Sequence, residues 1–240
     1  MLRPMLAAVL LGVIALPAGG QAGWPPAVGE YQRELQAVEQ ARAPDSLEAL
    51  FAAGEEVQGA VMQLKENQAW METLTDSEYS ALKTALRGMV LSRGYDIYAQ
   101  PDPAFLLALA QTHGRPQDLT FFRLYQQYWS ADYMPVFQRQ GNSPTPCVRF
   151  GERIIPEVYE AWLGYAKNFP LAYSGFVQQT LKDVEELVSL GTCACGDEKS
   201  VVQELRGFLK RFPASPASAP IRARLRQLHD NPEKLPIRCR

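Results

Sequence analysis

Residues 45–64 read DSLEALFAAGEEVQGAVMQL, and within them Leu47, Leu50, Phe51, Gly54, Val57, Val61 and Leu64 recur at three- and four-residue spacing. That period belongs to one face of an α-helix, because 3.6 residues per turn stack positions i, i+3, i+4 and i+7 above one another. Asp45 stands where an N-cap belongs, with Glu48 three residues later, the pairing that lets side chains and backbone N–H groups satisfy one another reciprocally. Pro44 directly before it ends an earlier helical stretch from Glu30, whose Tyr31, Leu35 and Val38 share a face. The two stretches together predict a helical hairpin.

The same grammar continues outward. Thr75 and Glu78 form a second capping box before Tyr79, Leu82, Leu86 and Val90, with Gly94 as the stop. Asp102-Pro103 reads as a cap followed by the first helical position, leading through Phe105, Leu106 and Leu109 to Gly114. Pro116 opens a helix crowded with Phe121, Phe122, Tyr125, Tyr128 and Trp129, continuing into Tyr133 and Phe137. Beyond it, Val158, Tyr159, Trp162, Leu163 and Ala166 mark a helix from Pro156 to Phe169, and Phe176, Val177, Leu181, Val184, Leu187 and Val188 mark another ending at Gly191. Ser200 with Gln203 predicts a box for Val201 to Phe212, and Ser218 a cap for a last helix bearing Ile221, Leu225 and Leu228. No stretch shows the period-two alternation of a strand. The prediction is an all-α chain of antiparallel hairpins, about nine helices in a repeat-like array. Residues 138–155, with Gly141, Asn142, Ser143, Pro144, Pro146 and Gly151, form the longest loop and are the candidate boundary between an N-terminal helical region, 23–137, and a C-terminal one, 156–240, the alternative being a long connection within one domain.

Residues 1–22 have the form of a secretory signal. Arg3 supplies the positive n-region, and Met5 to Leu16 form an apolar run closed by Pro17 and small residues. The run is roughly a dozen residues, short of the ~20 that span a bilayer as a helix. Cleavage is predicted after Gly20 or Ala22, with the mature chain periplasmic or secreted. Export also sets the expectation for Cys147, Cys193, Cys195 and Cys239, because an oxidising compartment turns thiols into disulfides. Four cysteines allow three pairings, and bridging Cys193 to Cys195 is strained by their closeness. The remaining two both tie the 193–195 turn to Cys147 and Cys239.

Charge is uneven along a nearly neutral chain. Residues 201–240 carry nine Lys and Arg against three Asp and Glu, whereas residues 23–200 carry fourteen against twenty-three. The basic C-terminal portion is suited to contact with an anionic surface. Nucleic acid is not an expected partner of an exported chain with no nucleic-acid motif.

Tyr165-Ala166-Lys167-Asn168-Phe169-Pro170 and Phe208-Leu209-Lys210-Arg211-Phe212-Pro213 each end a helix before a short turn, 43 residues apart. The run from Phe208 to Leu228, with Phe212-Pro213-Ala214-Ser215-Pro216 in its turn, resembles the junction of tetratricopeptide-like repeats of bacterial envelope proteins. The resemblance is clearest over residues 201–228 and fainter over 156–190. It lacks that family's Trp, Gly and Tyr pattern in the first helix, and the spacing exceeds the family's ~34 residues. It implies stacked helical pairs and carries no binding residue with it.

Catalytic motifs are missing from the sequence: there is no nucleophile elbow, zinc-protease helix or phosphate loop. His113 and His229 sit at predicted helix ends, where a protonated imidazole is favoured by the dipole. Glu152 and Glu157 flank the start of a helix beside the long loop and are the carboxylates available for acid–base work on a glycan or peptide. Two thiolates at 193 and 195 suit a soft metal, but export favours disulfides, so neither metal nor cofactor is expected. Tyr125, Tyr128, Trp129 and Tyr133 combine apolar bodies with polar tips and are the candidate wall of a groove. The functional expectation is a non-catalytic protein mediating protein–protein interaction in the cell envelope. An envelope enzyme using carboxylates and a carrier of an apolar ligand are the alternatives.

Overall fold

The computed structural model describes residues 23–40, 46–65, 68–94, 97–129, 134–138, 146–191 and 193–230. Its helices are α1 (Pro26–Glu39), α2 (Ser46–Val61), α3 (Asp76–Ala85), α4 (Pro103–His113), α5 (Pro116–Tyr128), α6 (Ile154–Asn168), α7 (Ser174–Leu190), α8 (Glu198–Arg211) and α9 (Ser218–Asp230). They pack as the hairpins α1–α2, α4–α5, α6–α7 and α8–α9, and the last two stack with α6 on α8 and α7 on α9. The all-α architecture of antiparallel hairpins is therefore the observed one.

Local side-chain caps set the starts of α3, α4 and α8. Thr75 accepts from the Glu78 N–H while the Glu78 carboxylate accepts from the Thr75 N–H at 2.7 Å, closing the expected box. Asp102 accepts from Ala104 and Phe105 N–H groups ahead of α4. Two expected caps are corrected. The start of α8 is capped by Asp197, whose carboxylate accepts the Ser200 N–H at 2.8 Å, because a carboxylate three residues earlier reaches the first turn before Ser200 does. Ser218 turns its hydroxyl back to the Phe212 and Pro213 carbonyls instead of capping α9. Asp45 lies outside the described residues.

The expected helix over 79–94 is also corrected. It ends at Ala85, and Val90 belongs to a strand. Gly88 causes the break: its φ of 89° is a conformation L side chains rarely adopt, and a Cβ there would lie 2.3 Å from Phe105 Cδ1. The chain then runs through β3 (Met89–Arg93) and returns as β4 (Ile97–Pro101), antiparallel with Leu91 opposite Ala99. Two shorter ribbons occur as well, β1 (Leu64–Lys65) with β2 (Gln68–Ala69), and β5 (Phe137–Gln138) with β6 (Cys147–Val148). The last of these gives residues 138–155 an ordered entrance and exit.

One aromatic cluster joins elements on both sides of that loop. Phe51 of α2 lies 5.0 Å from Phe121, 5.2 Å from Tyr125 and 5.2 Å from Phe176, ring centre to ring centre. Phe121 stacks on Tyr173 at 3.8 Å and meets Trp162 of α6 edge-on at 5.6 Å. Edge-on and offset arrangements are the favoured ones, since each ring presents a negative face and a positive edge.

Two buried charged residues fasten the C-terminal helices. Arg224 of α9 donates to the carbonyls of Val188 at 2.8 Å, Leu187 and Gly191, closing the C-terminal end of α7 that otherwise leaves carbonyls unpaired. Burial presses its pKa down to about 10, so it stays cationic near neutral pH. Glu204 of α8 accepts from the Gly151 N–H at 2.9 Å and the Arg153 N–H at 3.3 Å, fixing the entry to α6 from another helix. Gly151 has φ 90° there and Arg153 φ 64°.

Candidate functional site

The aromatic cluster reaches the surface beside α7. Between α2 and the N-terminal half of α7, a groove of about 460 Å³ is floored by Phe51, Tyr173 and Phe176 and walled by Trp129 at the end of α5. Its volume falls within the roughly 300–1,000 Å³ typical of ligand sites. Trp129 lies 5.4 Å from Phe176, and Phe176 5.2 Å from Phe51, which makes the three rings a continuous apolar surface. Glu48, Glu55 and Asp183 also line the groove, beside the polar Gln179 and Thr180.

Local structure explains how these groups are held. Tyr173 adopts a left-handed φ of 52° as it enters α7, and its N–H donates to Glu48 Oε1 at 2.6 Å. Its hydroxyl donates to the buried Asp118 at 2.9 Å, and Asp118 also accepts from the Arg115 N–H at the start of α5. Burial, followed by the Asp118 charge, drives the Tyr173 pKa far upward, so the phenol remains a neutral donor. Asp183 accepts from Gln179 Nε2 at 2.7 Å. Glu55 remains exposed at the groove, yet the surrounding protein disfavours its charged form and raises its pKa above the usual carboxylate value.

The residues expected to form a groove separate into different environments. Trp129 is partly exposed and lines it, 6.2 Å from Tyr125 in a stacked arrangement. Tyr125, at 2% exposure, is packed into the core beneath, and burial drives its pKa strongly upward. Tyr128 is buried and does not line the groove; burial and then the Glu157 charge raise its pKa. Tyr133 lies outside the described residues. Phe51 and Phe176, the two rings of the floor that contact each other, are 125 residues apart in sequence, and helical periodicity marks them only as apolar-face positions.

Glu152 and Glu157 are both exposed, and neither lines the aromatic groove between α2 and α7. Glu152 accepts a forked pair of hydrogen bonds from Arg149, at 2.5 and 2.9 Å. A second cavity, of about 300 Å³, is lined by Gly151, Arg153 and Glu204 and lies at the α6–α8 junction. Cys147 and Cys195 are joined as a disulfide across 48 residues. Cys193 is also bonded, and Cys239 lies outside the described residues. His113 and His229 occupy the last turns of α4 and α9. No family model, characterised protein or solved structure matches the chain.

Proposed function

We propose that this chain is an exported, non-catalytic helical protein that binds a protein partner in the cell envelope through the groove between α2, Trp129 and α7. The observation that carries the reading is the groove itself: Trp129 and Phe176, in contact and both partly exposed, stand over the buried ring of Phe51 at the edge of the core. Aromatic side chains supply large contact area at small entropic cost, which is why they anchor protein interfaces. Several further features support the reading. The bridge between Cys147 and Cys195 suits an oxidising compartment, consistent with the signal-like residues 1–22. No helix among the described residues is long and apolar enough to cross a membrane. The hairpin α6–α7 stacks on α8–α9, and stacked helical hairpins commonly serve as binding scaffolds.

The test is affinity purification of the exported protein from chemically cross-linked cell envelopes, comparing wild type with Trp129→Ala. The expected result is a reproducible partner whose recovery drops at least tenfold in the variant, since truncating an interface anchor costs about 2 kcal/mol or more. Equal recovery by both proteins refutes the groove as the binding surface.

A further inference from the structure

Resting on that binding role, we infer that the groove receives a cationic side chain, the guanidinium of an arginine or the ammonium of a lysine, presented by the protein partner. Two independent features of the groove converge on this chemistry. The first is the row of rings: Phe51, Phe176 and Trp129 lie within 5.4 Å of one another along the chain of contacts. An aromatic face is electron-rich and attracts a cation lying within about 6 Å of the ring centre. The molecule already uses this geometry elsewhere, with Arg93 over Tyr79 at 4.3 Å and Arg224 over Phe150 at 5.2 Å.

The second feature is charge. Glu48, Glu55 and Asp183 line the groove, and no Lys, Arg or His is among its described lining residues. Glu48 and Asp183 have each committed one oxygen, to the Tyr173 N–H and to Gln179. Glu55 has no ion pair with a described residue. A neutral apolar occupant would strip water from that carboxylate without replacing it, and an anion would be repelled by all three. A cation on an aliphatic stem meets both demands, because the stem lies along the rings while the head reaches the carboxylates.

The probes are butylguanidinium and its uncharged analogue butylurea, titrated separately into the full chain with ¹⁵N-labelled tryptophan. The chain has four tryptophans, so the indole N–H of Trp129 is assigned by its loss in Trp129→Phe. Butylguanidinium is expected to shift the Trp129 signal saturably, with half-saturation at a concentration roughly fivefold lower than butylurea requires. In Glu55→Gln/Asp183→Asn, checked for native helicity by circular dichroism, the two probes should become nearly equivalent. Phe176→Leu, which keeps the apolar wall and removes the π face, should also reduce the preference. Equal half-saturation of the two probes in wild type overturns cation recognition while leaving partner capture by Trp129 intact as the separate test of the binding role. A Trp129 signal unmoved by butylguanidinium also overturns it.

Discussion

Phe51 belongs to both the core and the groove, and replacing it with alanine gives a quantitative test of that double role. The side chain is 4% exposed, and its ring meets Phe121, Phe122, Tyr125, Tyr173 and Phe176 at centre distances from 5.0 to 6.0 Å. A buried Phe→Ala change costs about 3–5 kcal/mol through lost transfer energy and the cavity left behind. The lost edge-on contacts push the value toward the upper half of that range, while partial collapse of the groove edge pulls it down, so about 4 kcal/mol is expected. Leu171→Ala is the control, because that side chain is 87% exposed and should change stability by less than about 0.5 kcal/mol. Urea denaturation followed at 222 nm measures both, with a shifted midpoint and an unchanged slope marking a stability effect alone. A loss below about 1.5 kcal/mol for Phe51→Ala would refute the claim that this ring links the N- and C-terminal helices.

Three further predictions concern the C-terminal half. Arg224→Met keeps much of the stem but deserts the carbonyls at the end of α7, and a loss of about 3 kcal/mol is expected from thermal or urea unfolding, with hydrogen exchange rising first near Leu187 to Gly191. Replacing both Cys147 and Cys195 with serine removes a 48-residue cross-link, for which loop-closure entropy gives about 4 kcal/mol, and non-reducing peptide mapping of the wild type should recover Cys147 joined to Cys195. Glu204 has its pKa raised by burial, against the opposing pull of the Arg153 and Gly151 N–H groups. Between its unfolded value and that raised folded value the native state therefore holds more protons than the unfolded one, and its contribution to stability falls as pH rises through the window. Unfolding midpoints across pH 4–7 should show a declining component in wild type that flattens in Glu204→Gln; an identical profile for the two proteins would exclude Glu204 as its source.

Most helices were legible because their signals are local. The three- and four-residue spacing through Leu47, Leu50 and Val57, the Thr75–Glu78 box and the Asp102-Pro103 start all act within a few residues. Gly88 was not legible as a helix breaker. Its positive φ matters because Phe105 and Tyr31 close around it, and neither neighbour is near in sequence. The strand Met89–Arg93 escaped for a related reason: Leu82, Leu86 and Val90 continue a helical period, although the last is carried by a different element.

The groove was half visible. Its aromatic richness singled out Trp129, but the burial of Tyr125 and Tyr128 depends on how α5 packs, and on one helix Tyr125 and Trp129 occupy the same broad face. Phe51, Phe176 and the acidic residues could be assigned to the groove only after α2 and α7 were seen side by side. Glu152 shows the converse, a carboxylate whose position beside a loop suggested chemistry but whose side chain is paired with Arg149.

The claim that this groove is the binding surface is tested most directly by placing a photoreactive residue at Gln179, within the groove, and separately at exposed Leu190, outside it, and irradiating intact cell envelopes. The account predicts a cross-link at 179, mapped by mass spectrometry to a segment of one partner protein, and none to that segment from 190. Cross-linking of the same segment from 190 with none from 179 would contradict it.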